Sequence, residues 1–336
     1  MDKVTLDDVA RMSGVSRSAA SRALNDRPGV RADVRGRVLY VAEQLGFRPN
    51  RAARNLASGR SSVIGLIIPS SDLRIDPYGA AMIHAVSRAS VERDLGLMLH
   101  LATAEPGRTV HHILRDGLID GLLISTVAVG SWVDELFDAS LPTVLIGTHP
   151  TRDDVLGVDV ENLESSVLAV AHLIEQGCER IGCIAGRSDR ADARERVAGH
   201  RLAHERAGRP FDESLVVRGD FTRASGLDAG ATLLDREVDG IFAGNDEMAV
   251  GAIWAATKRG VAVPRDLLVV GFDGTAHDDL VEPTITSIAQ PFDEIATAGV
   301  DLLDRLVSGA DELTSVTIAP ELVIGTSSQR RITGSG

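Results

Sequence analysis

Arg17, Ser18 and Arg22 fall close together in a stretch rich in small polar side chains. Arginine is the preferred bidentate partner of guanine in the major groove. Ser16, Ser21 and Asn25 beside them are short polar groups suited to phosphate oxygens. A second set of polar residues comprises Ser70, Ser71, Asp72, Asn245, Asp246 and Asp273, each following an apolar run. In parallel α/β sheets the ligand-binding loops sit at that position. Singly, each also fits a helix cap or turn, and for Asp246 capping is the first reading. Other chemistries lack their motifs: the chain has no GxxxxGKS or GxxxxGKT, no GxGxxG, no HExxH and no GxSxG. His111-His112 have no nearby ligands, and His277-Asp278-Asp279 reads as a polar loop. Cys178 and Cys183 fit neither a CxxC redox pair nor a zinc ribbon. Neither catalysis nor a metal or other cofactor is expected.

The first set needs helices to position it. Thr5 can cap a helix with Asp8 in its first turn, and Gly14 ends that helix. Ser16 caps a second helix running to about Asn25, with Ala19, Ala20, Ala23 and Leu24 on its apolar face. Asn25-Asp26-Arg27-Pro28-Gly29 is a turn by composition. A third helix spans about Ala32 to Leu45, with Val34, Val38, Val41 and Leu45 on one stripe. Two helices joined by a tight Gly turn and backed by a third make the helix-turn-helix plan, in which the early residues of the second helix meet base edges. The same composition also fits a three-helix module with an Arg-rich surface and no ligand. After Asn50 comes a helix-prone segment, Arg51 to Ala57, barely two turns long and marginal on its own.

Charge separates this segment from the rest. The 336 residues carry 35 basic and 48 acidic side chains, net −13. Residues 1–60 hold twelve basic and six acidic ones, net +6, leaving −19 on the remainder. Such asymmetry points to a basic nucleic-acid arm on an acidic body. The apolar and charged fractions, 44% and 25%, exclude a disordered or fibrous chain. No stretch approaches the roughly 18 consecutive apolar residues of a membrane span, and no apolar segment follows Met1 as in a secretory signal. Two cysteines make no disulfide framework. A reducing, cytoplasmic setting without membrane contact is expected.

From Ser62 short apolar runs alternate with amphipathic stretches. The runs are 63–68, 97–101, 121–124, 143–146, 181–185, 215–217, 240–243 and 267–271, with helices expected over 80–94, 163–176, 191–207, 224–234 and 247–259. The alternation predicts parallel sheets covered on both faces. Eight runs divide best into two doubly wound halves meeting near Val158–Leu163, with a binding cleft between them.

At specific residues the chain resembles the LacI/GalR family of bacterial repressors. The first match is Val4-Thr5-Leu6-Asp7-Asp8-Val9-Ala10, then Gly14-Val15-Ser16 and Ser21-Arg22-Ala23-Leu24-Asn25. Phe47-Arg48-Pro49-Asn50 and Ala53-Arg54-Asn55-Leu56-Ala57 continue it. It departs at Ala19 and Ala20, where the family usually has Thr and Val, and at Arg31, which replaces a Ser cap. The resemblance implies DNA contacts from Thr5, Ser16, Arg17, Ser18, Ser21, Arg22 and Asn25. It further implies a hinge helix with Asn50, Ala53 and Leu56 that folds on operator DNA, pairs with its dimer mate and wedges Leu56 into a minor-groove step.

The body resembles the periplasmic-binding-protein-like effector domain of the same repressors. Arg194-Glu195-Arg196-Val197-Ala198-Gly199 implies that Arg196 clasps an effector, its fork suiting vicinal hydroxyls or a carboxylate. Ala243-Gly244-Asn245-Asp246 and Val269-Val270-Gly271-Phe272-Asp273 similarly imply effector contacts from Asn245 and Asp273. Ser71, Tyr78, Phe221 and Gln290 complete the implied pocket, with Tyr78 in an Asp-Pro-Tyr where Asn-Pro-Phe is common. Gly147-Thr148-His149 lacks the Asp of some sugar-responsive relatives.

The fold expected is an all-α helix-turn-helix headpiece (1–48), a hinge and linker (49–61) and an α/β effector body (62–330). The body's first half covers about 62–160 and 291–320, its second about 161–289 and 321–330. The function expected is a homodimeric repressor that binds a pseudo-palindromic operator and answers to a sugar, polyol or related metabolite. A transporter-feeding solute-binding protein and an α/β enzyme are the rivals, opposed by the headpiece and the absent motifs.

Overall fold

The computed structural model describes residues 4–47, 60–69, 76–102, 117–126, 128–129, 134–275 and 282–329. The chain forms two compact units, 1–61 and 62–336.

The first unit holds α1 (Leu6–Ser13), α2 (Arg17–Leu24) and α3 (Ala32–Gln44). Thr5 and Asp8 cap α1 reciprocally: Asp8 N–H donates to Thr5 Oγ1 at 3.4 Å and Thr5 N–H to Asp8 Oδ2 at 3.1 Å. Gly14 ends α1 at φ 64°, a conformation that glycine adopts without strain. Ser16 Oγ accepts from Ala19 N–H at 3.2 Å and starts α2. Arg31 occupies the N-cap of α3 but gives it no side-chain bond. The core is Val9, Ala10, Ala20, Ala23, Val38 and Ala42, flanked by Leu6, Val15 and Phe47. Four of those six are alanines, so little apolar area is buried and caps carry a larger share of stability.

The second unit contains two six-stranded sheets. Chain order is β1 (Val63–Pro69), α4 (Pro77–Glu92), β2 (Gly96–Ala102), β3 (Gly121–Ser125), α5 (Asp134–Phe137), β4 (Thr143–Ile146), β5 (Gly157–Val160) and α6 (Asn162–Glu175). It continues with β6 (Ile181–Ala185), α7 (Ala191–Arg206), β7 (Val216–Arg218), α8 (Arg223–Leu234), β8 (Gly240–Ala243), α9 (Asp246–Lys258) and β9 (Leu268–Asp273). It closes with β10 (Thr286–Ala289), α10 (Phe292–Val307), β11 (Val316–Ile318) and β12 (Glu321–Val323). Sheet one runs β11-β5-β4-β3-β1-β2 and sheet two β12-β10-β9-β8-β6-β7.

The central strands bury both faces, as parallel strands between helices must, while the edge strands β2, β7, β11 and β12 stay partly exposed. In β1, Ile64, Leu66 and Ile68 face one cluster with Met82 and Val300, while Ile67 faces another with Leu122 and Leu145. In sheet two, Phe242 and Val270 pack toward the first cluster, and Ile241 and Val269 toward a third with Ala229 and Ile253. The chain crosses between halves three times, at β5–α6, β10–α10 and β11–β12. One pairing differs from the all-parallel expectation: β12 lies antiparallel to β10. β12 follows β11 after only Ala319 and Pro320, so it enters sheet two from the other half with no room for a helical crossover.

Helix pairs are drawn close by glycine. A Cβ on Gly251 of α9 would stand 2.3 Å from the Arg223 carbonyl oxygen, and one on Gly199 of α7 would stand 2.3 Å from that of Leu163. Among the described residues, no helix is long and apolar enough to cross a membrane.

Candidate functional site

In the helical unit Ser16, Arg17, Ser18 and Arg22 are exposed on α2, while Ser21 and Asn25 are half-buried. Arg17 Nε lies 3.5 Å from Asp7 with both groups solvated, a pairing too exposed to hold the arginine. Asn25 Nδ2 donates to the Ser21 carbonyl at 2.8 Å, so this side chain already ties off the end of α2. Thr5 and Ser16 likewise spend their oxygens on caps, which aligns the backbone around the outward-facing arginines. Asn50, Ala53 and Leu56 of the expected hinge lie outside the described residues, as do Ser70, Ser71, Asp72, His111-His112 and His277-Asp278-Asp279.

The cleft of the second unit encloses a cavity of about 50 Å³. Its lining comes from the carboxyl ends of both sheets: Thr126 after β3, Gly147 and Thr148 after β4, Asn245 after β8, Asp273 ending β9 and Gln290 after β10. Ligand sites of open α/β sheets belong there, because the loops diverge where strand order reverses. Five expected residues besides Asp273 meet in this cleft: Tyr78, Arg196, Phe221, Asn245 and Gln290. The lips touch: Val129 N–H donates to the Asp189 carbonyl at 2.8 Å, and Arg194 Nη2 to that of Pro150 at 3.0 Å.

Arg196 is the centre of the network. Its Nε donates to Asn162 Oδ1 at 3.0 Å and its Nη1 to the Gly244 carbonyl at 2.5 Å. Nη1 also lies 3.5 Å from Asp273 Oδ1, and the guanidinium stacks 3.6 Å over the Phe272 ring. Gln290 Nε2 donates to Asp273 Oδ1 at 2.7 Å. Burial pushes the Asp273 carboxyl up to about 7, and the nearby Asp246 charge adds to this while Arg196 opposes it.

Asn245, not Asp246, caps α9: its Oδ1 accepts from Met248 N–H at 2.9 Å and its Nδ2 donates to the Phe221 carbonyl at 3.0 Å. One amide N–H of Asn245 therefore remains for a ligand. Asp246, expected as a cap, is instead buried, accepting from Thr275 N–H at 2.7 Å and the Ser287 hydroxyl at 2.6 Å. Its position one residue inside the helix turns it toward the neighbouring strand ends. Phe221 holds φ 71°, and Arg190 covers its ring at 4.4 Å from the centroid. Tyr78 meets Phe292 edge-to-face at 5.5 Å.

Four charged lining residues were not expected: Asp76, Asp159, Arg190 and Asp192. Asp76 caps α4 through Gly79 N–H at 2.7 Å. Arg190 and Asp192 form a close bidentate ion pair. The spacing of Asp192 and Arg196, four apart on one helix, was a usable signal. Asp159 sits in a strand too short to show periodicity. Among the described residues no His, Cys, Asp and Glu group of three or more could hold a metal ion.

A helix-turn-helix unit and a two-lobed cleft body on one chain define a ligand-controlled DNA-binding class. Comparison with known proteins narrows it. Residues 5–50 match the model of bacterial regulatory proteins of the lacI family, and residues 170–328 that of a periplasmic binding protein-like domain. Catabolite control protein A of Priestia megaterium is 31% identical over 327 residues, covering 95% of this chain and 97% of the relative. The HTH-type transcriptional regulator CelR of Thermobifida fusca is 32% identical over 333 residues, with 95% and 97% covered. A solved CelR–cellobiose complex superposes with a TM-score of 0.74 at 31% identity, covering 97% of this chain and 100% of that one. The lac repressor dimer bound to operator and the anti-inducer ONPF gives 0.78 at 26% identity, over 98% and 100%. The chain belongs to the LacI family of bacterial regulatory proteins. It is a DNA-binding transcriptional regulator, and its relatives are regulators rather than enzymes.

Proposed function

We propose that this protein is a cytoplasmic, homodimeric repressor whose cleft binds a sugar or polyol and whose headpieces read a pseudo-palindromic operator. Residues 1–48 read DNA, residues 49–61 form the hinge and linker, and residues 62–330 bind effector and dimerise. Thr5, Ser16, Ser21, Asn25 and Asn50 serve the backbone contacts, Arg17, Ser18 and Arg22 the base edges, and Ala53 and Leu56 the minor groove. Ser71, Tyr78, Arg196, Phe221, Asn245, Asp273 and Gln290 hold the effector.

The observation that carries this reading is Arg196, buried between Asp273, Asn162 and the Gly244 carbonyl at the meeting point of both sheets. Polar groups fixed in a cleft between two lobes suit a hydroxyl-rich ligand, and relatives support it: one solved CelR structure is a cellobiose complex, and one relative is a ribose operon repressor of Escherichia coli, 31% identical over 305 residues. Effector acts by binding one arrangement of the lobes more tightly than the other. The test is a thermal-shift panel of sugars and polyols, since a ligand of the native state raises its unfolding temperature. A member that shifts wild type but not Arg196→Ala, and that alters binding to promoter DNA, is the expected result. A ligand that binds Arg196→Ala equally well counts against the cleft.

A further inference from the structure

The charges lining the cleft are unbalanced, and the imbalance bears on which ligand it takes. Among the described residues the lining holds four aspartates, Asp76, Asp159, Asp192 and Asp273, against two arginines. Both arginines are already engaged. Arg190 is held bidentately by Asp192 and lies over Phe221, and Arg196 is shared among Asn162, Gly244 and Asp273. Neither fork is open to grip a phosphate or carboxylate without giving up an existing partner.

Asp159 is the opposite case. Its Oδ1 accepts from Val160 N–H at 2.7 Å and from Asn162 Nδ2 at 3.2 Å. Its Oδ2 is buried and meets the distance and angle of no hydrogen bond, although the Thr148 hydroxyl is close enough to lower the carboxyl. A buried carboxylate oxygen without a donor is costly. Glu195, half-buried on α7, adds negative charge toward the same place; burial raises its carboxyl, and the charges of Asp159 and Asp192 raise it further. Burial also raises Asp159, against the Thr148 hydroxyl, the Val160 N–H and Arg196, with the Asp192 charge acting in the same direction as burial.

Resting on the reading of the cleft as an effector site, we propose that the effector is an amino sugar or aminocyclitol whose ammonium group donates to Asp159 Oδ2, and that phosphorylated and acidic sugars are excluded. The hydroxyls of the same ligand meet Arg196, Asn245 and Asp273. The ammonium supplies both the missing donor and the missing positive charge, whereas a phosphate would meet four carboxylates and no free cation.

The experiment is a matched panel on the full-length protein: glucose, galactose and mannose, each as neutral hexose, 2-amino-2-deoxyhexose and hexose 6-phosphate. Thermal shift finds the best series and calorimetric titration at fixed salt measures it. The amine should bind at least about tenfold more tightly than its neutral parent, and the 6-phosphate should not bind. In Asp159→Asn, shown to unfold cooperatively at the wild-type temperature or above, the preference should fall to within about threefold while the neutral parent changes little. A neutral hexose that binds as tightly as its amine, a 6-phosphate that binds, or a preference that survives Asp159→Asn overturns the proposal. If such ligands are still lost in the folded variants Arg196→Lys and Gln290→Ala, the cleft reading stands without the amine. If those variants bind as wild type does, or if no member of any series binds, the cleft reading falls as well.

Discussion

Asp273 ends β9 with its carboxyl between Arg196 and Gln290, yet burial holds its protonation near neutrality, at about 7. The native state therefore keeps a proton that the unfolded chain releases at its ordinary value of 3.8. Across that window the contribution of this group to stability declines as pH rises. Effector binding should move the other way: hydroxyls donating to the ionised carboxylate favour the deprotonated form, so affinity should rise between pH about 6 and about 8. Titration calorimetry with a neutral hexose, which does not itself titrate across that range, should show the rise in wild type and a flatter profile in Asp273→Asn. An affinity in wild type that falls over the same interval would reverse the assignment. At this scale the sequence was only partly legible. Arg196, Asn245, Asp273 and Gln290 stand in runs that match the family, whereas Asp159 lies in a short strand and the Arg190–Asp192 pair at the start of a helix, where neither was singled out. Asp246 was misread because its burial depends on Thr275 and Ser287, which only the folded sheet brings near.

Elements were more legible than side chains, because the alternation of apolar runs and amphipathic helices is strong wherever strands are fully buried. Strands β5, β10, β11 and β12 left almost no such signal, because each three- or four-residue strand is broken by a polar side chain, Asp159, Thr286 and Ser287, Thr317 and Glu321 in turn. Two substitutions test how the elements are held. Arg31 starts α3 without a side-chain cap. Arg31→Ser should stabilise the helical unit by about 1 kcal/mol, seen as a higher denaturant midpoint at constant slope. No change, or a loss, would mean that Arg31 contributes packing that outweighs the missing cap. In the body, a Cβ at Gly251 would meet the Arg223 carbonyl oxygen and the Leu227 nitrogen at 2.3 and 2.5 Å, backbone atoms that cannot step aside. Gly251→Ala should cost about 1–3 kcal/mol by forcing α8 and α9 apart. Thermal unfolding of the full chain measures it, and an unchanged midpoint would show that the helices can separate freely.

For the whole molecule, net charge alone misleads. A total of −13 argues against a polyanion partner, but the first 60 residues carry +6 and the rest −19. The basic segment supplies phosphate attraction that weakens steeply with salt, through release of counterions from the duplex. On the proposed reading, specificity comes from the exposed groups of α2, with Arg17 and Arg22, both exposed there, at the guanine edges. The measurement that tests this most directly is a fluorescence-anisotropy titration of the full-length protein at several salt concentrations. Its DNA is the protein's own upstream region, set against a scrambled duplex of equal composition. Wild type should prefer the upstream DNA at every salt concentration, and Arg22→Ala should lose about tenfold to a hundredfold of that preference while keeping its salt slope to within about one contact. Equal binding to scrambled DNA by wild type, or a preference undiminished in Arg22→Ala, would contradict the account.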